Sequence, residues 1–139
     1  MLKITKTYED FNGVERTEDF YFNLTKADLA ELEMSVNGGL TTLLNNMSRA
    51  KDGKSIIEYS KKLVLTAYGE KSLDGREHYK SDEIRAKFAA TQAYSDIFME
   101  VATNDKKAAE FVMGILPKDI REEAMKDPSV TEALNNINK

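Results

Sequence analysis

The sequence predicts an α+β fold, mainly helical, with an N-terminal β-hairpin followed by a bundle of about five to seven short helices. Three observations predict it. Apolar and polar residues alternate on both sides of Asn12-Gly13. From Thr25 onward the apolar residues recur at helical spacing instead. Between the helical stretches stand Gly, Asp and Pro residues of the kind that end helices.

In the first 24 residues, Leu2, Ile4 and Tyr8 share a period of two, as do Phe20, Phe22 and Leu24. Asn12-Gly13 supplies the turn, because both residues tolerate positive φ. A two-residue loop would set Phe20 and Phe22 opposite Thr5 and Lys3. A three-residue loop, Phe11-Asn12-Gly13 with Gly13 left-handed, sets Leu2 opposite Phe22 and Ile4 opposite Phe20. It also brings Lys6 to Glu18 and Tyr8 to Arg16. The three-residue loop is preferred, since it gathers the apolar side chains on one face. An isolated hairpin is marginal in water, so helices must cover that face.

Thr25 is the expected N-cap of a helix over Lys26–Met34, with Asp28 at the capping-box position. Asn37-Gly38-Gly39 ends it, and a second helix follows over Leu40–Arg49. From Ser55 to Tyr68, the residues Ile56, Ile57, Leu63, Val64, Ala67 and Tyr68 form one stripe, and Gly69 is the expected C-terminal cap. Glu70–Lys80 reads as a polar loop around Leu73-Asp74-Gly75. Ser81 caps the next helix, with Asp82 and Glu83 favourably placed in its first turn. Ile84 and Phe88 line that helix. Tyr94, Ile97, Phe98, Val101 and Ala102 line its continuation or successor. Ala108, Phe111, Val112, Ile115 and Leu116 line another, which Gly114 and Pro117 weaken. Met34, Met47, Met99 and Met113 are expected to fill gaps between helices. Beyond Pro117 come two short amphipathic pieces, one with Ile120 and Ala124 and one with Val130, Leu134 and Ile137, broken at Asp127-Pro128.

The chain has 139 residues, the size of one domain with a short tail, and a formal net charge of -4. Its Lys and Arg are interleaved with Asp and Glu, unlike the clustered basic surface that nucleic acid requires, so no nucleic-acid partner is expected. Met1–Lys6 alternates polar and apolar residues and lacks the apolar core of a signal peptide. No apolar run approaches the ~20 residues of a membrane span, so no membrane partner is expected either. There is no cysteine, which removes disulfides and thiolate metal sites. A cytosolic protein is the expectation.

Little in the sequence points to catalysis. The one histidine, His78, lies between Glu77 and Tyr79 in the expected polar loop and reads as a surface residue. Asp74, Glu77 and His78 could be imagined around a metal, but zinc needs three or four ligands on a rigid frame, and no HExxH motif is present. Asp74-Gly75 lacks the acidic spacing of a calcium loop. Gly38-Gly39 lacks the Lys-Ser/Thr of a phosphate loop. Glu58, Asp82, Glu83, Asp96 and Glu100 sit opposite apolar stripes, where solvated charge is expected. No catalytic residue, metal ligand or cofactor is therefore assigned, and the expected mode of action is binding another protein. So short a helix as the one carrying Val130, Leu134 and Ile137 must dock on something to persist, either its own domain or a partner, and this stripe is the candidate partner-binding surface.

The run from Asn23 to Pro117 resembles the tail assembly chaperones of long-tailed bacteriophages of Gram-positive bacteria. The segments that carry the resemblance are Asn23-Leu24-Thr25-Lys26 through Leu32-Glu33, Gly38-Gly39-Leu40 and Ala50-Lys51-Asp52-Gly53-Lys54. To these are added Leu65-Thr66-Ala67-Tyr68-Gly69-Glu70-Lys71-Ser72 with Asp74-Gly75-Arg76, then Lys80-Ser81-Asp82-Glu83. Ala93-Tyr94-Ser95-Asp96 and Ala109–Pro117 complete the set. The resemblance implies a protein of the infected cell's cytoplasm that binds the helical tape measure protein. It would keep that protein soluble while tail tube subunits polymerise, and it would be absent from the mature virion. It implies the tape measure protein as partner, the tail tube protein as a second candidate, and leaves homo-oligomer formation open. Residues 1–117 would form the chaperone domain and 118–139 a short amphipathic C-terminal tail. The competing reading is a structural tail or head-completion component of the virion.

Overall fold

The computed structural model describes residues 1–35 and 53–126. Strand β1 (Leu2–Glu9) pairs antiparallel with β2 (Glu15–Phe22) in the register that sets Leu2 opposite Phe22 and Ile4 opposite Phe20. This is the three-residue loop. Asp10 N–H donates to the Val14 carbonyl at 2.9 Å, and Gly13 closes the turn at φ 79°, a left-handed conformation that Gly adopts without cost. The Asp10 carboxylate holds the turn by accepting from Asn12 N–H, Val14 N–H and Arg16 Nε. Its bond to Arg16 is the main reason its carboxyl lies below the ordinary value. Facing the helices, Leu2, Ile4 and Phe20 are half-buried and Phe22 is fully buried. The opposite face is solvated, with Thr5 bonded to Asp19 and Thr7 to Thr17.

Helix α1 (Lys26–Ser35) begins with a reciprocal capping box: Asp28 N–H donates to Thr25 Oγ1 at 3.0 Å, and Thr25 N–H donates to Asp28 Oδ2 at 2.8 Å. Helix α2 (Gly53–Ala67) passes directly into β3 (Tyr68–Lys71), which pairs with β2 and with β4 (His78–Tyr79). Here the structure corrects three expectations. Gly69 is not a helix cap but a buried strand residue opposite Tyr21. Tyr68 belongs to that strand rather than to the helical stripe. Glu70–Lys80 is a second hairpin, not a polar loop, and only its turn at Leu73-Asp74-Gly75 is as expected. Among the described residues the sheet is therefore four-stranded, in the order β1-β2-β3-β4, with β1 at one edge.

The remaining helices are α3 (Asp82–Ala89), α4 (Gln92–Thr103), α5 (Asp105–Ile115) and α6 (Lys118–Lys126). Ser81, Thr91 and Asn104 are N-caps, each accepting a backbone N–H in the first turn. The Thr91 cap makes α4 a successor to α3 rather than its continuation. The fold is α+β, and among the described residues it has six helices. They do not run on from one hairpin uninterrupted, because β3 and β4 separate α2 from α3.

Phe22 sits at the centre of the core. Its ring meets Tyr68, Phe88 and Phe111 at centroid distances of 5.6, 5.9 and 5.2 Å, edge to face. Tyr68 stacks flat on Phe88 at 3.8 Å, and burial pushes its hydroxyl up to about 12. The expected stripes of α2 to α5 supply most of the rest, including Leu63, Val64, Ile97, Val112 and Ile115. Two expectations fail. Ile57, assigned to the α2 stripe, and Met99, assigned to a gap between helices, are about half exposed. Met113 does pack on the core. The expected helix over Leu40–Arg49 and the Val130/Leu134/Ile137 stripe lie outside the described residues.

Candidate functional site

The outer side of β1 is where sheet and helices part. Leu2 and Ile4 lean from β1 toward Ile97 and Val101 of α4 and Phe111 of α5, leaving a groove of about 260 Å³. The close approach depends on Gly114: a Cβ there would stand 2.9 Å from Leu2 Cδ1. Sequence alone reads Gly114 as a weak point in the helix, whereas the packing makes it a seat for Leu2. Lys3, Glu100, Lys107 and Glu110 complete the lining. Lys6 forms an ion pair with Glu100 and so ties β1 to α4 beside the groove.

These residues offer apolar contact on the floor and charges of both signs at the rim. The volume is below the usual range for small-molecule sites of roughly 300–1,000 Å³ and suits one or two inserted side chains. Further apolar side chains stand in solvent at two hairpin tips: Phe11 and Val14 on the first, Leu73 on the second.

The Asp74/Glu77/His78 group does not assemble. Asp74 accepts from Ser72 Oγ and Arg76 N–H within its turn, with Ser72 chiefly responsible for its lowered carboxyl. His78 is not a surface residue. Its ring is half-buried against Gly69, and Nε2 lies 3.1 Å from the Tyr21 carbonyl, which can only accept, so Nε2 carries the proton. Nδ1 is buried without a partner. Burial is the main cause that pushes this imidazole below its ordinary value. Among the described residues, no three His, Asp or Glu side chains converge to hold a metal. Of the five carboxylates weighed in the sequence, Glu58, Asp82, Glu83 and Asp96 are exposed, and Glu100 is the one that reaches the groove.

A different polar cluster is visible only in three dimensions. Lys80 Nζ donates to the Asn23 carbonyl and, at 2.8 Å, to Asp28 Oδ2, so the end of the second hairpin clasps the start of α1. Burial pushes the Asp28 carboxyl up, but the bonds from Lys80 and Thr25 outweigh it and hold the carboxyl below its ordinary value. Both partners are largely shielded, and the cluster ties elements together rather than opening to solvent.

Comparison with curated proteins and with solved structures gave no match. Comparison with protein families did. The model described as "Phage tail assembly chaperone" matches residues 1–138, which takes in both hairpins, the groove and the segment after Pro117. No described helix is long and apolar enough to cross a membrane. With the match running over nearly the whole chain, this protein belongs to the phage tail assembly chaperone family.

Proposed function

We propose that this chain binds the tape measure protein in the cytoplasm of the infected bacterium. It keeps that protein soluble, helps the tail tube polymerise around it, and stays out of the finished virion. The observation that carries the reading is the family match over residues 1–138. The geometry supports it: a free tape measure would expose apolar helical stripes, and the groove between β1, α4 and α5 is sized for their side chains. Its mixed-charge rim suits a helix whose apolar residues are flanked by Lys and Glu. The action is one of binding and release, with no reaction catalysed.

Val130, Leu134 and Ile137 are proposed as a second contact, on a tail (118–139) distinct from the chaperone domain (1–117). Two modest contacts, multiplied over many copies along a long client, give avidity that competing tube subunits can still displace. The tail tube protein is the proposed second partner. Mass spectrometry of purified particles tests the placement. The chain should be missing from mature virions while the tape measure protein is present; stoichiometric incorporation would make it a structural component instead.

A further inference from the structure

Among the described residues, no strand pairs with the outer edge of β1. Its eight residues contain no Pro and no bulge, and the charges it carries, Lys3, Glu9 and the helix-facing Lys6 paired with Glu100, leave it open to a partner that neutralises the first two. The Asp10 to Val14 bond and the alternation of antiparallel ladders direct the backbone groups of Leu2, Ile4, Lys6 and Tyr8 toward β2. Those of Lys3, Thr5, Thr7 and Glu9 therefore point outward, away from the sheet.

We infer that this edge pairs antiparallel with the same edge of a second copy, with Lys3 opposite Glu9 and Thr5 opposite Thr7 across a two-fold axis at Lys6. The parity is right, because all four residues present outward backbone groups and would exchange hydrogen bonds in pairs. The charges are complementary only in this register. Sliding by two residues in either direction sets Lys3 or Glu9 against an uncharged neighbour. Within the chain, Glu9 faces the like charge of Glu15, while Lys3 faces Tyr21. A second copy gives each its opposite charge, twice over by symmetry. The two Lys6 side chains that meet at the axis are already neutralised by Glu100 of their own chains. On the helix-facing side the register sets Tyr8 of the second copy opposite Ile4, one of the residues that line the groove. Exposed Met1 and Phe11 of the two copies are brought to the same ends of the pairing.

The inference does not depend on the identity of the client, and sedimentation of the purified full chain tests it without one. The wild type should show a concentration-dependent dimer. Thr5→Pro removes an outward N–H that the hairpin does not use, so it should give a monomer with an unchanged circular dichroism spectrum. Lys3→Glu and Glu9→Lys should each raise the dimer dissociation constant about tenfold, and the double swap should restore it. A wild type that stays monomeric at its highest soluble concentration overturns the inference. So does self-association that all these variants leave unchanged, which would place the contact elsewhere.

Discussion

At the scale of the residue, two positions show how a single side chain, or the lack of one, decides local structure. Gly69 is held by space rather than by φ. A Cβ would lie 2.7 Å from His78 Nε2 and 2.8 Å from the Tyr79 carbonyl oxygen. The oxygen is backbone and cannot swing aside. Gly69→Ala should therefore destabilise the fold by about 2 kcal/mol in urea titration, the cost typical of overpacking. His78 fills the space that Gly69 leaves. Its pKa is lowered on folding, so the neutral ring is favoured in the native state and the unfolded chain takes up the proton first. Stability from this group is fully present above pH 6.5 and falls as pH drops below it, until the folded ring also protonates. Chemical denaturation between pH 7 and 5 should show the decline, and His78→Gln should flatten it.

At the scale of the element, two of the N-caps, Thr25 and Ser81, were legible in the sequence; the caps at Thr91 and Asn104 and the second hairpin were not. Thr25, Ser81 and the first hairpin are local features: a short polar side chain before an apolar stripe, or a turn whose loop length fixes which faces meet. Thr91 and Asn104 are capping residues of the same kind. The pair β3/β4 contributes four and two residues, too few to show a period of two, and Gly69 after a helical stripe imitates a C-cap. Only pairing with β2 makes these residues a strand. The groove was hidden for a similar reason. Leu2, Ile4, Ile97, Val101, Phe111 and Glu100 were each assigned to an apolar or charged face, whereas Lys3, Lys107 and Glu110 were not. The meeting of all of them depends on how closely Leu2 approaches Gly114. These elements also differ in what a cap is worth. Ser81→Ala should cost about 1 kcal/mol, the loss of one N-cap bond. Asp28→Ala removes a capping partner and also strands Lys80 in a shielded site, so it should cost more, about 2 kcal/mol or above. Equal losses for the two variants in thermal denaturation would mean that Lys80 finds solvent without Asp28.

At the scale of the whole molecule, the described residues form a four-stranded sheet covered on one face by helices and open on the other, with β1 at the edge bordering an apolar groove. A chaperone for a long helical client needs apolar sites that are accessible yet not so extensive that the protein aggregates by itself. Under the proposed role, a small groove with a charged rim would meet both demands. Family membership names the process, phage tail assembly. The proposed client is the tape measure protein. Co-expression with the tape measure protein tests it most directly, by measuring how much tape measure remains in the soluble fraction with and without this chain. The expected result is a tape measure that is largely insoluble alone and soluble, in complex with this chain, when the two are made together. A tape measure equally soluble in both cases would contradict it.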